Sequence, residues 1–335
     1  MHNFRKRTSR LLPALFLALT LMYAGSCSEI TEKRHIKLAH GLDVSHPVHK
    51  AMVHLAEKAD SLSQGRLQVK VYPSQQLGTE RQCLELLQIG SLGMTKVSAS
   101  VLENFAPEIK ALTLPYVFRS IKHAHQIYDG EIGQNLLVAT EDYWLRGLCY
   151  YDAGARSYYT INTPVRTPED LDGLKVRVQE SITAYGMVKA MGAAPTPISW
   201  GELYTALQQG VVDGAENNPP SFYTSRHYEV CNYYSLNEHT FVPDVLLINT
   251  HLWYKLSDQE QEWLQEAVDM SVQYQRKLWA EAEKEALAAV KEAGVEIIRP
   301  DKEPFMEAVQ PMLESYKTEN PSLYSYIDQI REVGQ

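Results

Sequence analysis

Residues 173–178 read GLKVRV, an alternating run in which Leu174, Val176 and Val178 share one face of a strand while Lys175 and Arg177 point the other way. A guanidinium on a buried strand needs a partner of opposite charge or a water-lined cleft. Its planar fork meets a carboxylate with two parallel hydrogen bonds, which lysine cannot reproduce. The chemistry in prospect is recognition of an organic anion. Taken alone, the six residues read more readily as an edge strand with a solvated arginine. Two other stretches argue otherwise: Arg156 follows an apolar run over 145–151, and Asn217 sits in VVDGAENN.

Other chemistry finds less support. The sequence holds no GxSxG elbow, no phosphate-binding P-loop, no GxGxxG after a strand and no HExxH, which weakens enzyme readings and implies no cofactor. His46, His49 and His54 fall in one helix and its cap, but without cysteine or carboxylate at ligand spacing they read as surface or cap histidines and not as a metal site, and His123 and His125 read alike. Asp213 and Glu216 are spaced like a glycosidase pair, although Asp213-Gly214 is more simply a turn. Trp200 makes a helical stripe with Leu203, Tyr204 and Leu207, which usually means core. At a helix N-terminus, however, such a ring can also floor a pocket. Cys83, Cys149 and Cys231 lack CxxC spacing and read as small buried hydrophobes, with at most one pair bridged.

The positioning elements alternate. Strands are expected at 36–39, 67–72 and 94–99 with helices at 48–62 and after Leu77-Gly78, and an extended segment at 112–118 is followed by helices at 121–128 and 132–143 and a strand at 146–151. A second set follows: strands at 158–161, 174–178 and 211–215, with helices at 181–191 and 201–208. Strand and helix in alternation argue for α/β sheets that bind ligands beyond the carboxyl ends of their strands. The 335 residues suffice for two such domains, with chain crossings expected near Asp152 and Phe241. Ser257 and Glu260 form a capping box, and no glycine or proline follows until Gly294. The helix this predicts is on the order of 55 Å long, enough to bridge two lobes, unless it breaks near Ser271 or Gln275. A strand at 295–298 and helices at 302–317 and 322–333 close the chain.

A net charge of −9 argues against nucleic acid or an anionic membrane as partner, so any anion site is local. Basic residues at 5–10, an apolar stretch at 11–23 and Ala24-Gly25-Ser26-Cys27 read as a secretory signal over 1–27, with Cys27 a candidate for lipidation. The expected location is the periplasm.

Together these stretches resemble the substrate-binding proteins of tripartite ATP-independent periplasmic (TRAP) transporters, dicarboxylate type. The resemblance covers nearly the whole mature chain and rests on VYPSQQLGTE, LTLPYVF, YDAGARSYY, DLDGLKVRV, APTPISWGELYTALQQGVVDGAEN and the helix after LSDQEQ. It implies an α/β, two-lobed periplasmic binding protein fold with a hinge and a long helix spanning both lobes. Lobe I is expected over 35–152 plus about 242–280, and lobe II over 153–241 plus about 281–335. It further implies that Arg177 makes the main bidentate salt bridge to a ligand carboxylate, that Arg156 is the second arginine, that Asn217 orients the carboxylate and that Trp200 packs on the ligand. His40, Gly41, Glu80 and Ser98 are expected to line the facing lobe, with Asn218 among the groups that meet ligand hydroxyls and His239 near hinge and pocket. Where sialic-acid-binding members carry asparagine and glutamate, this chain has Gly41 and Ser98, so it does not look like a sialate binder. YDAGARSYY, RVQES and DGAENNPPSFYTSRHYEV are similar to the subgroup associated with glucuronate and galacturonate. The partners implied are a sugar acid and the TRAP membrane permease. Other readings are a binder of a different sugar acid, dicarboxylate or keto acid, an exported enzyme using Glu80 or Glu216 as base, and a sensory protein of the same fold.

Overall fold

A computed structural model describes residues 33–334, so the signal segment and Cys27 lie outside the described residues. In chain order the strands are β1 (Arg34–Ala39), β2 (Leu67–Tyr72), β3 (Met94–Ser98), β4 (Leu145–Tyr151), β5 (Arg156–Thr160), β6 (Lys175–Val178), β7 (Ala194–Pro197), β8 (Gly214–Asn217), β9 (Tyr233–Thr240), β10 (Asp244–Asn249) and β11 (Glu296–Ile298). They form two sheets, ordered β2-β1-β3-β10-β4 and β11-β9-β5-β8-β6-β7. The helices are α1 (Pro47–Leu62), α2 (Glu80–Gln88), α3 (Ala99–Leu102), α4 (Ile121–Tyr128), α5 (Glu131–Ala139), α6 (Ile182–Ala190), α7 (Trp200–Gln208), α8 (Pro219–Thr224), α9 (Thr250–Trp253), α10 (Asp258–Glu292), α11 (Glu303–Glu319) and α12 (Pro321–Glu332).

Local chemistry starts these helices where the sequence signals them. The His46 imidazole accepts from the Val48 N–H ahead of α1, Thr79 and Gln82 close a capping box on α2, and Ser257 and Glu260 close another on α10. α1 then turns Val48, Ala51, Met52, Leu55 and Ala59 into the first lobe. Two expectations fail locally. The stretch 112–118 is not extended: a 3-10 helix covers Pro107–Leu112, and Tyr116 adopts φ +52°. Tyr116 is held there by its N–H to the His239 carbonyl and its hydroxyl to the Asn237 carbonyl, both on β9. The edge-strand reading of GLKVRV also fails, because β6 lies inside its sheet, parallel to β7 on one side and β8 on the other.

Neither sheet is made from one continuous stretch. The chain leaves the first sheet after β4, builds β5 to β9, and returns to insert β10 antiparallel between β3 and β4. At the first crossing Gly154 takes φ +56°, and a Cβ there would lie 3.0 Å from the Trp279 indole nitrogen, so glycine is required on both counts. α10 is a single helix of 35 residues with no break. Its Leu264, Ala267, Val268, Val272 and Trp279 are buried among first-sheet residues such as Leu38 and Leu148, and its Val290 among second-sheet residues such as Tyr159 and Tyr234. Ser271 and Gln275, where a break was considered, are instead anchors. Ser271 Oγ meets the Tyr151 hydroxyl at 2.7 Å, and the Gln275 amide bonds both the N–H and the C=O of Asp152, at 3.0 and 2.9 Å. The C-terminal helices divide between the sheets: Phe305 and Val309 of α11 pack with Val176 and Met187, while Leu323, Ile327 and Ile330 of α12 pack with Leu112 and Tyr128 on the first-sheet side.

Gln275 is fully buried, so Gln275→Ala strands a backbone donor and acceptor at the crossing. Urea denaturation should show a loss of about 2 to 4 kcal/mol.

Candidate functional site

Arg177 reaches into the cleft between the two sheets from the interior of β6, with a residue exposure of only 2 %. Its Nε donates to the Ile198 carbonyl at 2.8 Å, and its guanidinium carbon lies 5.9 Å from the Trp200 ring centroid. Nη1 is buried with no hydrogen-bond partner, and no ion pair to this side chain forms among the described residues. Burial pulls its pKa below the usual arginine value. A cation in this state asks for an anion, because an uncompensated buried charge costs several kcal/mol.

Arg156, the second arginine of the sequence reading, is in the opposite condition. Its Nε and Nη2 meet Glu216 Oε2 and Oε1 at 2.5 and 2.7 Å, Nη2 also donates to the Glu216 carbonyl, and Nη1 donates to Asn217 Oδ1 at 2.9 Å. Burial would raise the Glu216 carboxyl, but the Arg156 guanidinium and His239 override it and hold Glu216 at about 2. Asn217 Oδ1 is thus engaged by Arg156 and by the Asn218 N–H, while its Nδ2 takes no part in these bonds.

The cleft consists of two adjoining hollows that share Glu80, Gln179 and Trp200. One contains Arg177. The other, about 450 Å³, is lined by Gly41, Ser98, Arg156, Asn217 and Asn218 among others. Eight of the ten candidate ligand-binding residues therefore converge here. His40 and His239 do not. His40 is buried behind the cleft, bonded to His49 at 3.0 Å and to the Leu42 N–H. His239 is wholly buried beneath the Arg156–Glu216 pair, bonded to Glu216 and Asn237. His40 directly follows β1 and His239 lies within β9, and in each case the ring nitrogens are taken by neighbouring protein groups.

Contacts across the cleft join the sides. Ser98 Oγ donates to Gln179 Oε1 at 3.2 Å, His46 meets Ser221 Oγ at 3.2 Å, and the Glu103 carboxylate accepts from Ser181 Oγ and the Thr183 N–H at 2.6 and 2.9 Å. Gly41 and Gly201 permit the approach: a Cβ on Gly201 would fall 2.3 Å from Gln75 Oε1.

The sequence reading missed Lys96, Asp244 and Gln179. Lys96 is 2 % exposed and bonds Glu80 Oε1 at 3.2 Å and Asp244 Oδ1 at 3.1 Å. Burial works against its ammonium, yet Asp244 and Glu80 outweigh it and raise the pKa. The signal was present: Lys96 is the one charge in MTKVS, a strand buried at every position, so the reasoning applied to Arg177 applied here too. Among the described residues no cluster of ligating side chains is placed to hold a metal ion.

Two sheet-centred lobes, joined by the crossings near Asp152 and Phe241 and by α10, and a cleft holding a buried, unpaired arginine define the two-lobed periplasmic binding protein fold. The chain belongs to the bacterial extracellular solute-binding proteins, family 7, whose profile matches residues 38–319. A C4-dicarboxylate-binding periplasmic protein of Rhodobacter capsulatus is 33% identical over 291 residues, 86% of each chain. Among solved structures, a TRAP periplasmic solute-binding protein of Bradyrhizobium sp. BTAi1 in complex with α/β-D-galacturonate is 40% identical with a TM-score of 0.86, covering 89% of this chain and 99% of its own. One from Chromohalobacter salexigens with bound D-glucuronate is 35% identical with a TM-score of 0.86, covering 88% and 99%.

Burial holds three histidines around the cleft neutral, His40 at about 2 and His46 and His227 at about 3. In the unfolded chain each takes a proton near its ordinary 6.5, so below that pH the unfolded state binds more protons and stability falls as pH drops toward 3. Each histidine contributes a slope of about 1.4 kcal/mol per pH unit in that window. Glu216 adds a further loss as pH falls from about 4.5 to 2. Urea midpoints at pH 7, 6 and 5 should decline in order, and a flat series would contradict the neutral histidines.

Proposed function

We propose that this protein captures a hexuronate, glucuronate or galacturonate, in the periplasm and delivers it to the membrane permease of a TRAP transporter without chemically altering it. The observation that carries the reading is Arg177, a fully buried guanidinium whose Nη1 has no partner. A ligand carboxylate supplies the missing acceptor, and the planar fork binds it through two bonds. Asn217 Nδ2 donates to the same carboxylate, and Trp200 offers its ring to the carbon face of the sugar. Glu80, Ser98 and Asn218, on the rim of the adjoining hollow, meet the hydroxyls. Arg156, already bonded to Glu216, fixes Asn217. His40 and His239 act through the groups they hold. The galacturonate and glucuronate complexes of proteins similar over nearly their whole length support the ligand class.

In this reading the lobes are 35–152 with about 242–280 and 153–241 with about 281–320, and α12 moves with the first lobe because its apolar face is buried there. Contacts from both lobes to one ligand favour the closed arrangement, with bending at the crossings beside Asp152 and Phe241. Residues 1–27 direct export, and Cys27 is the candidate for a lipid anchor.

Calorimetry on the purified protein tests the reading. Galacturonate or glucuronate should bind, and Arg177→Ala should weaken binding by about 2 to 5 kcal/mol, roughly 30-fold to several thousand-fold. Arg177→Lys should bind poorly as well, since a point charge cannot replace the fork. Parental affinity in Arg177→Lys would refute the bidentate role. Thermal shifts with dicarboxylates or keto acids alone would keep solute capture and discard the uronate.

A further inference from the structure

The polar groups of the cleft are not distributed evenly. At one end stands Arg177, a cation with no counter-charge. The wall of the adjoining hollow carries Glu80, Lys96 and Asp244, two carboxylates around one ammonium. Arg156, on the same hollow, is matched by Glu216 and leaves little net charge behind. The bonds within the triad use one oxygen of each acid: Glu80 Oε1 accepts from Lys96 and from the Ser98 N–H, and Asp244 Oδ1 accepts from Lys96. Glu80 Oε2 and Asp244 Oδ2 take no part in them. The triad therefore keeps a net negative charge and two acceptor oxygens.

Such a wall accepts hydroxyl donors and repels a second carboxylate. Resting on the uronate reading above, we propose that the Glu80–Lys96–Asp244 triad sets the specificity of this cleft for singly charged sugar acids and rejects dianions of the same size. Arg177 binds the one carboxylate, and the far end of the sugar gives its hydroxyl protons to Glu80 and Asp244. In an aldarate, where that end is oxidised to a second carboxylate, acceptor faces acceptor and like charges meet in a desolvated site. Lys96 is a positioning residue. It keeps two neighbouring carboxylates ionised together, since without a cation between them one would take up a proton.

The charged and titratable groups around Lys96 are few. His40 and His46 stay neutral in the working range, Arg156 is paired with Glu216, Arg177 faces Glu80 from the neighbouring hollow, and burial pushes the Cys83 thiol beside Glu80 up to about 11. Glu80 and Asp244 are the direct partners of Lys96, and burial raises the Asp244 carboxyl above its ordinary value while Lys96 opposes the shift. Discrimination in the parent should therefore be flat between about pH 6 and 8, and in Lys96→Met it should weaken as pH falls, because proton uptake takes the bare pair from two negative charges to one and turns one carboxyl into a donor that can meet a second ligand carboxylate.

The test is calorimetry with galacturonate and galactarate, which share six carbons and the same hydroxyl stereochemistry and differ in that C1 is oxidised to a second carboxylate, which opens the ring; the Glu80 and Lys96 variants separate the effect of charge from that of shape. The parent should prefer galacturonate by about 100-fold or more. Glu80→Gln, at the partly exposed rim of the triad, should narrow that ratio by about tenfold or more, mostly through a gain in galactarate binding. Lys96→Met should narrow it in the pH-dependent way described. Equal affinity of the parent for both acids would overturn this inference alone, as would an unchanged, pH-independent ratio in both variants. A parent that prefers glucuronate is tested in the same way against glucarate, and binding of none of these acids would sink the uronate reading and this inference with it.

Discussion

A cation buried away from water must find its counter-charge inside the protein or outside it. Arg156, Lys96 and Arg177 are all nearly inaccessible, and they divide on that point. Arg156 has Glu216, and Lys96 has Glu80 and Asp244. Arg177 has only a backbone carbonyl. The surrounding structure maintains this contrast: β6 is flanked by β8 and β7 and its arginine is buried, with Trp200 and Ile198 beside it. An apolar residue at the same position would suit the sheet better, since isolated buried charge opposes folding.

Most of the architecture was legible because it is written in local chemistry. The capping box at Ser257, the stop at Gly294 and the alternating apolar runs placed the helices and many of the strands within a few residues of where they lie. β7, β9 and β10 were not read. β7 is a four-residue piece containing two prolines, APTP, and its membership in the sheet comes from pairing with β6 and not from its own pattern. β9 and β10 are buried on both faces and show no alternation, so periodicity has nothing to detect.

The site divides in the same way. Arg177 was found from its own strand, because one charge interrupts an apolar alternation. Lys96 carried the same mark and was passed over, and its partner Asp244 lies 148 positions away in sequence, a pairing that only the returning strand creates. The engagement of Arg156 by Glu216 was likewise beyond a linear reading. Those two residues are diagonal neighbours across antiparallel strands, since Glu216 is paired with Tyr158, two positions on from Arg156. His40 and His239 show the limit of motif position: a motif brings a residue near a cleft, but its ring turns toward the hydrogen-bond partners around it.

The insertion of β10 between β3 and β4 also bears on when the chain can fold. Until residue 244 has arrived, β3 and β4 have no strand between them, and Val245 and Leu247 are missing from the core that Val97, Leu145 and Tyr150 share. The first half of the polypeptide thus cannot complete its sheet as it is made, and non-local closure of this kind is slow. In any chain of this family that is exported before it folds, such a delay is an advantage, since the strand that completes the first sheet is synthesised late.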